Sequence, residues 1–135
     1  MEIGIDVVDI SRTMSALERW GRTYAQRVIG DDKFGVADWP TGLQVAVALA
    51  VKEAAIKCAG ARPPGGLRTI VIEDVDPDRE GRVEGLVTAL EAMGLEVRAR
   101  GTALCCLPTL PGGGVSIPAA WVADDTDVVA LAGTA

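Results

Sequence analysis

Residues 45–51 read Val-Ala-Val-Ala-Leu-Ala-Val, with no polar side chain on any face of two helical turns. Thr41-Gly42-Leu43-Gln44 just before them has the form of a capping box, and Gly60 stands beyond Ala59 as a stop. A helix apolar all round has no side to offer water, so this one must be the buried centre around which the other elements pack. No apolar run approaches 18 residues without polar interruption, so a membrane span is not expected. The chain has 135 residues, which suits a single domain over 1–135. Its apolar residues make up 49% but include only one Phe, one Tyr and three Trp, so the core has to be Val, Leu, Ile and Ala.

The remaining segments alternate between helix and strand patterns. Residues 3–10 read as a buried strand with Ile3, Ile5 and Val7 on one face and Gly4, Asp6 and Val8 on the other. Ser11 is placed to cap a helix carrying Met14 and Leu17, broken at Gly21, and a second helical piece runs from Arg22 to Ile29. Residues 31–40 read as a loop, Arg68–Val75 as a strand and 76–81 as a solvated turn. Val83–Met93 has the pattern of an amphipathic helix, and Glu96–Leu107 that of a strand. After a Pro- and Gly-rich loop at 108–114, Ala120–Ala123 and Val128–Ala132 read as strands joined by a hairpin at 124–127. The expected architecture is α+β, with the long helix Gln44–Ala59 packed on a small, mostly antiparallel sheet.

Charge and composition exclude several functions. The net charge is −6 and no basic block occurs, which disfavours nucleic acid as a partner. Residues 10–30 nonetheless carry Arg12, Arg19, Arg22 and Arg27 against Glu18 alone, so an acidic partner is expected there. No basic leader precedes the first strand, and Cys58, Cys105 and Cys106 have no metal-site spacing. Cytoplasmic residence with buried thiols is the expectation. Histidine is absent, which leaves carboxylates, lysines, backbone groups or an oxygen-bound hard metal to perform any chemistry.

Two clusters meet that requirement. Asp6 sits on a strand face otherwise small or apolar, where a carboxylate needs either an ion-pair partner or a metal. Lys52, Glu53 and Lys57 lie in the last turns of the apolar helix. Glu53 and Lys57 are spaced i,i+4, which is also the spacing of an ordinary surface ion pair. Asp6 and Glu53 together offer two hard oxygen ligands, the number Mg²⁺ commonly takes from protein before filling its octahedron with water and phosphate. Lys52 and Lys57 would meet the remaining phosphate charge.

These residues carry a resemblance. Gly4-Ile5-Asp6-Val7-Val8-Asp9-Ile10 followed by Arg12, Arg27-Val28-Ile29, and Val51-Lys52-Glu53-Ala54-Ala55-Ile56-Lys57 followed by Gly60 are similar to the successive motifs of the short, holo-acyl-carrier-protein-synthase type of 4'-phosphopantetheinyl transferases. The resemblance covers about residues 1–75. It implies transfer of phosphopantetheine from coenzyme A to a carrier-protein serine, with Asp6 and Glu53 holding Mg²⁺. It also implies that Lys57 contacts phosphate and that Arg12, Arg19 and Arg22 dock an acidic acyl or peptidyl carrier protein. A homotrimer with the site at the subunit interface is implied as well. The chain departs from the pattern at Lys33, at Ala48 and at the turn before the last strand, where Ala123-Asp124-Asp125-Thr126-Asp127 replaces a serine-histidine-aspartate sequence. Two other readings therefore stand beside the transferase: a module that binds carriers without modifying them, and a relative that keeps fold and metal for a different acyl or phosphate chemistry.

Overall fold

The computed structural model describes residues 3–30, 41–74, 82–109 and 112–133. The expected loop at 31–40 with its Lys33, Val75, the turn at 76–81 and the middle of the Pro/Gly loop lie outside them, as does the Thr41 side chain of the expected capping box. Five strands and four helices follow in the order β1 (Ile3–Asp9), α1 (Ile10–Trp20), α2 (Arg22–Ile29), α3 (Thr41–Ala59), β2 (Val71–Asp74), α4 (Arg82–Ala92), β3 (Ala99–Pro108), β4 (Gly114–Ala123) and β5 (Asp127–Gly133). The strands form one sheet in the order β1-β5-β4-β3-β2, antiparallel at every pairing. This is the α+β arrangement expected from the sequence. Among the described residues no helix is long and apolar enough to cross a membrane.

Helix α3 lies across the inner face of the sheet. Val45, Ala46, Val47, Ala48, Ala50, Val51, Ala54 and Ala55 are fully buried, so burial on every side overrides the modest helix propensity of the valines. The sheet face beneath combines small residues, Gly4 on β1, Ala130 and Ala132 on β5, and Ala119 on β4, with the large buried Trp121 of β4. At Gly4 the small size is obligatory. A Cβ there would collide with the Ala54 carbonyl and lie 2.6 Å from the Cys58 amide nitrogen. Gly101 on β3 serves the same end one layer along, since a Cβ would come within 2.9 Å of the buried Trp121 ring. On the outer face α4 covers only part of the sheet, packing Val87, Leu86 and Leu90 over Ala120, Val122 and Val129.

Several boundaries differ from the sequence reading. Helix α1 is capped by Asp9, whose carboxylate accepts from the Arg12 amide at 3.1 Å; Ser11 donates its hydroxyl to that same carboxylate instead of capping. Strand β1 is buried on one face only, with Ile3, Ile5 and Val7 more than half exposed on the other. Met14 is likewise half exposed. Arg68 belongs to a short 3₁₀ turn, Leu67–Thr69, ahead of β2. Strand β4 begins at Gly114, six residues before the expected start, because Pro118 lies in the strand and pairs with Leu104 in the β3 register.

Candidate functional site

Asp9 begins the construction of the site. By capping α1 it turns the chain off the end of β1, so α1 starts beside the strand that carries Asp6. The Arg12 amide and the Ser11 hydroxyl on the Asp9 carboxylate hold its pKa below the ordinary aspartate value. Gly4, two residues before Asp6 on the same face, lets the last turns of α3 come down onto β1. Asp6, Asp9, Arg12, Tyr24, Glu53 and Asp127 then line one cleft of about 400 Å³. Asp6 and Glu53, far apart in sequence, both line this cleft.

Each carboxylate already holds a cation from the chain. Lys57 Nζ donates to Asp6 Oδ1 at 2.8 Å and to the Ile5 carbonyl at 2.9 Å. The ion-pair reading of Asp6 is thus what the structure contains, with the Asp6 side chain 16% and the Lys57 side chain 53% exposed. With so open a lysine the pair contributes at most about 1 kcal/mol, and Lys57 is available to another anion. Glu53 is paired not within its own helix but with Arg62, whose Nη2 lies 3.1 and 3.2 Å from its two oxygens.

Lys52 does not join this cluster, which corrects its expected role as a phosphate contact. It is fully buried, and its ammonium donates to the carbonyls of Val28 at 2.6 Å, Ile29 at 3.1 Å and Leu67 at 3.2 Å. Two of these are terminal carbonyls of α2 that have no helical partner, so Lys52 caps α2 and ties it to α3 and the 3₁₀ turn. At 100° per residue, positions 52 and 57 point to well-separated faces of α3, one into the core and one toward the cleft.

The three arginines expected to meet a carrier separate. Arg12 lines the cleft itself. Arg19 stacks on Trp20, 5.2 Å from the ring centroid, and is exposed. Arg22 borders a largely apolar groove of about 610 Å³ formed with Met14, Leu17 and Ala25. The sequence reading did not single out Asp127, which lines the cleft, or Arg62, which reaches it only through Glu53. Asp127 enters because β5 pairs with β1 in a register that puts it opposite Asp9. Arg62 enters because the turn after Gly60 folds back on α3. The first is a register effect and the second a loop effect, and neither leaves a periodic signal.

The donor set bears on a metal. Among the described residues no three His, Cys, Asp or Glu side chains cluster tightly enough to form a complete protein cage. Two hard carboxylates beside an open cleft instead fit Mg²⁺, which retains water and shares substrate oxygens.

No family model matches the chain. Over 87 residues it is 34% identical to the holo-[acyl-carrier-protein] synthase of Chloroherpeton thalassium, covering 61% of this chain and 69% of that protein. Over 73 residues it is 32% identical to the holo-[acyl-carrier-protein] synthase of Desulfovibrio desulfuricans, and that match covers 54% of this chain and 59% of the relative's length. In solved structures, the fold is similar to the holo-[acyl-carrier-protein] synthase of Neisseria meningitidis, with a TM-score of 0.54 and 22% identity over 97% of this chain and 94% of that one. It is also similar to the Bacillus anthracis synthase in complex with CoA (3',5'-ADP), with a TM-score of 0.53 and 14% identity over 97% and 92% of the two chains. The chain belongs to the holo-[acyl-carrier-protein] synthase family of phosphopantetheinyl transferases.

Proposed function

We propose that this chain, as one domain over residues 1–135, transfers the 4'-phosphopantetheine group of coenzyme A to a serine of an acyl or peptidyl carrier protein in the cytoplasm, with Mg²⁺ as cofactor. The observation that carries the reading is the convergence of Asp6 and Glu53 in one cleft with Lys57 at its edge. Asp6 and Glu53 would hold the ion, which when bound would offset the negative charge of the diphosphate and of the departing 3',5'-adenosine diphosphate. Lys57, half exposed and anchored through a weak pair, is placed to exchange Asp6 for a phosphate oxygen. In the transfer the serine oxygen bonds to the pantetheine-bearing phosphorus as the phosphorus–oxygen bond to 3',5'-adenosine diphosphate breaks. The hydroxyl proton passes to a cleft carboxylate, so no histidine base is needed.

Arg22, exposed on α2, lines the apolar groove of Met14, Leu17 and Ala25 together with Glu18, and the exposed Arg19 follows Glu18 in α1. An amphipathic acidic helix of a carrier fits that combination: apolar residues enter the groove while carboxylates meet the arginines. Arg12 would act nearer the chemistry, at the rim of the cleft. The exposed Ile3, Ile5 and Val7 on β1 support the homotrimer, because an edge strand with a bare apolar face is suited to burial against another subunit.

The test is intact-mass spectrometry of an apo carrier incubated with the protein, coenzyme A and MgCl₂. The expected result is a gain of the phosphopantetheine mass, slowed by on the order of 10³ or more in Glu53→Ala. Stable carrier binding without a mass gain would replace the transferase with the carrier-binding module. A normal rate in Glu53→Ala would move the metal away from this cleft.

A further inference from the structure

Arg62 stands three residues beyond the end of α3 and bridges two cavities. Its guanidinium sits on both oxygens of Glu53, which lines the carboxylate cleft. Its own side chain also lines a neighbouring cavity of about 330 Å³, formed with Pro63, Pro64, Leu107 and Pro108. The Arg62 side chain is 61% exposed and that of Glu53 only 20%. The carboxylate is therefore the fixed member and the guanidinium the one free to leave. Pro63 and Pro64 follow directly and restrict the backbone that presents the arginine.

One nitrogen shared between both oxygens takes up part of the acceptor capacity of Glu53 and sets a positive charge beside it. A divalent cation would want one of those same oxygens and is repelled by the guanidinium that holds them. We infer that Arg62 is a positioning residue whose hold on Glu53 competes with a divalent cation for that carboxylate and weakens cation binding in the cleft. This inference rests on the proposed Asp6–Glu53 metal site. In the structure Arg62 fixes the direction of the Glu53 carboxylate, and a cation ligated by Glu53 would have to draw an oxygen away from it.

Mn²⁺ alone, titrated against the full chain without coenzyme A and followed through the paramagnetic resonance of the free ion, tests this independently of transfer. Arg62→Ala should bind Mn²⁺ about 3- to 5-fold more tightly than wild type, the range of a partly exposed pair. Arg62→Lys, which keeps the positive charge but as a compact, strongly hydrated ammonium, should fall between the two. Equal or weaker binding in Arg62→Ala, with wild type binding Mn²⁺ and losing it in Glu53→Ala, would overturn the role of Arg62 and leave the metal site standing. No Mn²⁺ binding by wild type would overturn the metal site itself.

Discussion

The two faces of β1 follow one backbone and obey different rules. Gly4, Asp6 and Val8 lie under α3, where the helix approaches so closely that one position accepts no side chain beyond hydrogen. Ile3, Ile5 and Val7 on the other face are more than half exposed. The inner face tolerates a carboxylate because Lys57 reaches it from the helix above. The outer face carries apolar area that α4 leaves uncovered, since that helix packs over β4 and β5 instead. At β1, glycine marks the point where the sheet meets the helix most closely, while the large side chains on its other face stay exposed.

The largest effect should come from breaking the inner face. Gly4→Val is expected to destabilise the fold by about 3 kcal/mol or more, read as a lowered urea midpoint, because the clash is with helix backbone that cannot rotate aside. On the outer face Ile5→Glu should leave the midpoint nearly unchanged and shift the mass seen by light scattering from that of the proposed trimer to that of a monomer. An unaltered mass would remove that face from subunit contact.

A smaller contrast separates the two lysines of α3. Lys52→Met leaves one buried and two part-buried carbonyls without this donor and should cost about 2–4 kcal/mol. Lys57→Met breaks a half-exposed pair and should stay within about 1 kcal/mol while impairing transfer. If the two variants unfold at the same urea concentration, Lys52 is not the clamp described above.

The smallest effect lies at the hairpin joining β4 to β5. Burial raises the pKa of Asp124, but the amides of Asp127 and Thr126 and the Thr126 hydroxyl outweigh it and hold the group below the ordinary value. A carboxyl depressed in the folded state stabilises the protein above its unfolded-state pKa, and that contribution is lost as pH falls through the folded-state pKa. Asp124→Ala should therefore lower the melting temperature at neutral pH by the equivalent of about 1 kcal/mol. The gap to wild type should close as the solution is acidified below the ordinary carboxylate range; a gap that persists in acid would mean the loop shape matters more than the charge.

What the sequence disclosed follows from which forces are periodic. Alternation put Asp6 on the face of Gly4 and Val8, and the unbroken apolar run made α3 the central helix; both are seen in the structure. Lys52 was misplaced by proximity, because it neighbours Glu53 in sequence while pointing elsewhere on the helix, and its setting in an all-apolar helix was the unused clue. Arg62 and Asp127 were invisible for a different reason. One depends on how a turn folds back and the other on a strand register fixed between distant segments. The early start of β4 was hidden by Pro118, a residue that argues against strand from sequence alone.

The pairing of β1 with β5 also orders events in time. Asp6 comes long before its sheet partner in the chain: among the described residues the strand bearing it pairs only with Asp127–Gly133. A growing chain can wind α3 and expose Glu53 well before it can seat Asp6 in the sheet. The two carboxylates therefore remain unregistered until the fifth strand is delivered, and a nascent chain carries both halves of the site before it can hold them together.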